Sequence, residues 1–135
     1  DYGDARTGIA ISDPTGLLAG FTTVINAYRP DRVTEQIALL AKEHRVERLV
    51  LGHPINMDGT RGPRSEKAQA MRQLLEETTG LPVVLWDERR TTIDAHQILM
   101  SSGKNAKKRK KVVDAVAASL ILEGYLTYLK THPEG

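Results

Sequence analysis

Short apolar runs open the chain, and apolar positions at helical spacing follow them. Residues 6–12, RTGIAIS, make a short strand, and Asp13-Pro14-Thr15-Gly16 marks the turn after it. Residues 17–25 are rich in Thr, Val and Ile and suit a second strand. Together they predict a hairpin, with Asp1 ending a strand that precedes it. Pro30 suits a first helical turn, and Val33, Ile37, Leu40 and Ala41 recur on one face, so residues 29–44 predict an amphipathic helix. Residues 48–52, RLVLG, are a short buried strand. A second helix covers 65–79, with Ala68, Met71, Leu74 and Leu75 on one face and Gly80 near its C-terminal cap. Residues 82–86, PVVLW, are another buried strand. Thr91 or Thr92 can cap a further helix, with Ile93, Ile98 and Leu99 inside and Gly103 beyond it. A basic loop follows, and residues 112–130 form the last helix.

Strands first, then alternating helix and strand, predict an α/β fold: a mixed central sheet with helices on both faces. The two later strands follow helical crossovers and should run parallel to the first. Sites in such sheets form outside the carboxyl ends of the strands. Asp1, the loop after Gly52 and the Asp87–Glu88 pair all fall at that edge. A length of 135 residues fits one domain spanning the whole chain. The strand ending at Asp1 is expected to be incomplete, because an acid at a strand end needs an apolar strand before it.

Composition narrows the chemistry. There is no cysteine, which excludes disulfide frameworks, thiolate zinc sites and cysteine nucleophiles. No apolar run approaches the roughly 18 residues of a membrane span, and no signal peptide is evident, so a soluble cytoplasmic protein with no membrane partner is expected. Net charge is +2 and the pI about 9.0, a weak pointer to a polyanionic partner. Its placement says more, since six of the eight residues from Lys104 to Lys111 are basic. Aromatic residues are only 4%, which argues against a protein that stacks bases on aromatic platforms.

The acids are the most informative residues. On a helix Asp114 shares a face with Ala117, Ala118, Ile121 and Tyr125, the face turned to the sheet. A buried carboxylate costs several kcal/mol unless paired, so something positive should meet it. The bland alternative is a helix N-terminal acid favoured by the macrodipole. Asp87 and Glu88 end a buried strand, where alternation lets only one of them face a given side. Glu88 is the preferred ligand of the two. Carboxylates about 4 Å apart repel by on the order of 4 kcal/mol per pair at an effective dielectric of 20. A cation between them removes that cost, and all-oxygen ligation favours Mg²⁺ or Mn²⁺. Asp1, Glu88 and Asp114 are therefore the candidate metal ligands, with Asp87 as a further catalytic candidate. Two such ions can activate water for phosphodiester hydrolysis.

The segments DYGDARTGIAISD, LGHPINMDGTRGP, WDERRTT and KRKKVVDAVAASLIL resemble, in order and spacing, the YqgF/RuvX family of Holliday-junction-resolvase-like proteins, also described as pre-16S ribosomal RNA nucleases. The resemblance spans nearly the whole chain and rests on four ordered motifs. It implies a ribonuclease-H-like fold and divalent-metal nuclease chemistry, with the family's acids falling on Asp1, the Asp87–Glu88 pair and Asp114. It also implies a cytoplasmic bacterial protein acting in 5′-end maturation of ribosomal RNA, or on branched DNA. Two positions depart from the pattern: His53 and Arg90 stand where the family usually or often has an apolar residue.

The 53–64 segment, HPINMDGTRGPR, is long for a strand-to-helix link and lies at the presumed active edge. Asn56 and Asp58 are polar candidates there, although turn roles explain them equally well. Lys104, Lys107, Lys108, Arg109, Lys110 and Lys111 precede the helix carrying Asp114, and with Arg6 they are the candidate contacts to nucleic-acid phosphates. Of the histidines, His44, His53, His96 and His132 lack zinc spacing, and His53 is the one to test as a substrate contact. The expected partner is structured RNA or branched DNA, and junction resolution would call for a homodimer. Two other readings compete with a nuclease. One is a sugar-kinase or actin-like ATPase fragment, because D-Y-G-D-x-x-x-G resembles that superfamily's phosphate loop, although that fold needs two such domains. The other is an RNA-binding assembly factor without catalysis.

Overall fold

The computed structural model describes residues 1–16, 18–54, 58–88 and 106–132. Seven elements run in the order β1 (Arg6–Ser12), β2 (Ala19–Asn26), α1 (Pro30–Glu43), β3 (Leu49–His53), α2 (Pro63–Thr79), β4 (Val83–Asp87) and α3 (Ala106–Thr131). The expected helix starting at Thr91 or Thr92, together with Arg89, Arg90, His96 and Lys104, lies outside the described residues, as does Asn56.

β1 and β2 form the expected hairpin, antiparallel from Arg6↔Asn26 to Ser12↔Ala19, with an irregularity between Ile11 and Ser12. β3 and β4 are parallel, from Leu49↔Val83 to His53↔Asp87, as a helical crossover requires. The described strands form two two-stranded sheets where one mixed sheet was expected. A cleft of about 1200 Å³ lies between them, lined by Ile9, Ala10 and Ile11 of β1 and by Leu49, Val50 and Leu51 of β3. Asp1 enters that gap from the β1 side. It exchanges both backbone hydrogen bonds with Gly8, at 2.9 and 3.0 Å, the pattern of an antiparallel hydrogen-bonded pair.

Period-two alternation gives the β3–β4 pair two different faces. Leu49, Leu51, Val83 and Leu85 join Ala68, Met71 and Leu75 of α2 in one apolar cluster. Val50, Val84 and Trp86 join Ile121 and Tyr125 of α3 in another. Helices therefore cover opposite faces of the strands, and the α/β layering follows from the sequence pattern. Pro63 opens α2, and Gly80 closes it with φ 71°, a left-handed cap that glycine adopts without a Cβ clash.

The basic run needs a correction. It was expected as a loop before a helix starting at 112, yet α3 begins at Ala106 and takes Lys107, Lys108, Arg109, Lys110 and Lys111 into its first two turns. Lys, Arg and Ala are strong helix formers, and no Gly or Pro interrupts residues 106–112. No helix among the described residues is long and apolar enough to cross a membrane.

Candidate active site at the carboxyl edge of the strands

Asp114 sits where α3 crosses β1. Its helix face matches the sequence pattern, with Ala118, Ile121 and Tyr125 buried below it. The crossing is close because β1 presents Gly8 there. A Cβ on Gly8 would run into the backbone carbonyl of Asp114 and come within 3.4 Å of the Ala118 methyl. The positive group expected beside Asp114 is Arg6, whose Nε donates to Oδ2 at 2.8 Å. Both side chains keep contact with water, at 35% and 23% exposure, so the pair is screened and stabilises by no more than about 1 kcal/mol.

Glu88 follows the last residue of β4 and lies on the α3 side. Gly52 of β3 makes room for it: a Cβ at Gly52 would stand 3.1 Å from the Glu88 carboxyl carbon and 2.8 Å from Ile121 Cδ1. Asp1 completes the neighbourhood. Its backbone nitrogen donates to the Gly8 carbonyl at 2.9 Å, which seats it against β1 where Gly8 meets Asp114. The structure thus brings Asp1, Glu88 and Asp114 from three separate stretches to one edge.

Asp87 goes elsewhere. It is the register partner of His53, so the two project from the same face of the pair, the α2 face. His53 is buried there, its Nε2 2.6 Å from the Oγ of a fully buried Ser65. Burial and then Arg61 lower the His53 pKa below 6.5, Asp87 and Glu88 pull it back, and Arg72 adds to the lowering. Sequence reasoning singled out His53 but not Ser65, because a serine in the first turn of a helix reads as an ordinary helix start. Asp58 accepts from the backbone nitrogen and hydroxyl of Thr60, at 2.9 and 2.7 Å, a turn role that also lowers its pKa.

An all-oxygen donor set drawn from Asp1, Glu88 and Asp114 suits a hard divalent cation in kind. Among the described residues, however, no three acidic, histidine or cysteine side chains close tightly enough to cage an ion, and Arg6 holds one Asp114 oxygen. A closed cage is not what Mg²⁺ requires, since it keeps several waters and takes one or two carboxylates plus substrate phosphates.

This edge can be compared with known proteins. The family model described as "RuvX: Holliday junction resolvase" matches residues 1–128. The chain belongs to the RuvX family. RuvX relatives agree in extent. One from Halothermothrix orenii, named "Putative pre-16S rRNA nuclease", is 44% identical over 128 residues, covering 95% of this chain and 91% of the relative. A protein of the same name from Bacillus subtilis is 44% identical over 131 residues, covering 96% and 95%. A third, from Carboxydothermus hydrogenoformans, is 43% identical over 128 residues, covering 95% and 93%. All the RuvX motifs quoted above fall inside residues 1–128 matched by the family model.

Proposed function

We propose that this RuvX chain is a nuclease that hydrolyses phosphodiester bonds of pre-16S ribosomal RNA with a divalent cation, Mg²⁺ or Mn²⁺, in the cytoplasm. The observation that supports the reading is that Glu88, beside Gly52, and Asp114, against Gly8, both lie on the α3 side, with Asp1 paired to Gly8. Asp1, Glu88 and Asp114 would hold the cation. When bound, it supplies charge neutralisation at the phosphate and a more acidic bound water.

The chain's own residues do the rest. The Asp114 carboxylate has Arg6 as its counter-charge, and a guanidinium released from that carboxylate would pair with a phosphate oxygen. Lys104, Lys107, Lys108, Arg109, Lys110 and Lys111 would contact the nucleic-acid backbone. Contacts of that kind set affinity and salt dependence and leave sequence choice to other features.

The test is cleavage of end-labelled pre-16S RNA by the full chain with Mg²⁺, Mn²⁺ or chelator, against Asp114→Asn and Glu88→Gln. Cation-dependent cleavage, reduced on the order of 100-fold in either variant, is the expected result. A four-way DNA junction run in parallel distinguishes the resolvase alternative, for which the active species should also be a homodimer. RNA binding with no cleavage under any cation would overturn the reading and leave a non-catalytic assembly factor.

A further inference from the structure

His53 and Ser65 take no part in the reaction just proposed, yet they form the most deeply buried polar pair among the described residues. His53 is 6% exposed and Ser65 0%. They join two elements: His53 closes β3, and Ser65 stands in the first turn of α2. Gln69 Nε2 donates to the same Ser65 oxygen at 3.4 Å. A hydroxyl has one proton and two lone pairs, so accepting from Gln69 leaves it able either to donate to His53 Nε2 or to accept from it. Buried polar groups with satisfied partners are rigid, because losing a partner leaves a desolvated group behind.

The location gives the pair a consequence. Asp87 is the register neighbour of His53 on the α2 face, and Glu88 is the next residue along. Asp87 is the last residue of β4 and the chain turns out of the strand at Glu88, so whatever fixes Asp87 on the α2 face sets where that turn begins and where Glu88 is delivered. On the α3 face Gly52 leaves the space in which the Glu88 carboxyl lies. We propose that His53 is a positioning residue: anchored on Ser65, it holds Asp87 against the α2 face and thereby delivers Glu88 to the α3 face beside Asp114. Asp87 then belongs to the anchor and is not a cation ligand. An apolar side chain at position 53 cannot make this bond, so the device is particular to sequences carrying the histidine. The anchor stands on geometry alone, and only its effect on cation binding rests on the nuclease reading.

The test uses the metal-free full chain and the variants Ser65→Ala, His53→Leu and His53→Gln, with amide hydrogen exchange read at residues 87 and 88 and at β1. Ser65→Ala and His53→Leu should speed exchange at 87 and 88 by about tenfold, with β1 unchanged, as expected when a buried partner is lost locally. His53→Gln, which can still reach the hydroxyl, should restore slow exchange. Titration with Mn²⁺ alone should show affinity about tenfold weaker in the same two variants, the lower end for loss of a group that orients a ligand. In that titration Asp87→Asn should bind more tightly than Glu88→Gln. Unchanged exchange in both Ser65→Ala and His53→Leu overturns the proposal. So does a uniform rise at β1 and β4, which marks plain loss of stability. If the wild-type chain binds no Mn²⁺, the nuclease reading fails while the exchange result still decides the anchor.

Discussion

The two faces of the β3–β4 corner differ in almost every physical respect. Toward α3, Glu88 and Asp114 keep partial contact with water, with one carboxylate held by a partly exposed arginine. Toward α2, His53 and Ser65 are sealed and bonded to each other at 2.6 Å. Asp87, the last residue of β4, and Glu88, directly after it, lie on opposite sides. The comparison shows that charge alone does not make the site. The α3 face is available because Gly8 and Gly52 remove side chains where α3 and Glu88 must approach, whereas the α2 face is filled.

The most severe way to break the α3 face is at Gly8. In Gly8→Ala the added Cβ meets the Asp114 carbonyl, which is backbone and cannot swing away. α3 must then lift from β1, at a cost of about 3 kcal/mol, the upper part of the range for an overpacked core. The urea midpoint should fall accordingly, and cleavage should fall with it. An unchanged midpoint would mean that the β1–α3 approach is looser than described. Gly52→Ala is milder. Its Cβ meets Ile121 Cδ1 at 2.8 Å and the Glu88 carboxyl carbon at 3.1 Å, both ends of flexible side chains. Stability should drop by only about 1 kcal/mol. Displacing the carboxylate should cost more in turnover, on the order of tenfold, because misplacement by about an ångström is expensive at a reacting centre. Equal losses of stability and turnover would show that Glu88 is a bystander.

Arg6→Gln sharpens the same face with a smaller effect. It removes the counter-charge of Asp114 while keeping a polar side chain. Because both partners contact water, the stability loss should stay under about 1 kcal/mol. A freed Asp114 should then bind Mn²⁺ more tightly in the absence of RNA, measured by titration calorimetry. Weaker Mn²⁺ binding would mean that Arg6 orients Asp114 and does not compete for it.

Much of this arrangement was legible in the sequence because it depends on periodicity. The spacing of Asp114 with Ala118, Ile121 and Tyr125 placed a carboxylate over the sheet, and the charge it demanded is supplied by Arg6. Strand alternation predicted that Asp87 and Glu88 part company, and the preferred Glu88 lies on the Asp114 side. Propensity was less informative than pattern at residues 106–111, where a run of like charges suggested a loop although each residue favours helix. The described strands pair as β1–β2 and β3–β4, a grouping that periodicity does not reveal, because it sets which face a residue takes and not which strands are neighbours. The Ser65–His53 bond was out of reach for another reason. Its partners are 12 residues apart across a turn-rich segment, and no periodic rule brings a strand end to a first helical turn.

The smallest expected effect belongs to the sealed face and depends on pH. Burial and the charges of Arg61 and Arg72 hold the His53 pKa below its ordinary 6.5, while Asp87 and Glu88 offset part of that shift. The imidazole therefore binds a proton more readily in the unfolded chain than in the folded one. Its contribution to stability is present above 6.5 and is lost as pH falls toward the depressed folded value. Many carboxylates also titrate on acidification, so the total change in stability says little about one histidine. The difference between wild type and His53→Gln isolates it, because the other groups are common to both. Urea midpoints at about pH 7.5 and about pH 5 should converge at the lower pH, as the wild type loses an advantage the variant never had. The opposing carboxylates keep the convergence small, and replacing Asp87 with Asn should enlarge it by removing one of them. A gap that stays constant between the two pH values would show that His53 titrates alike in both states, and the α2 face would then be less sealed than its burial indicates.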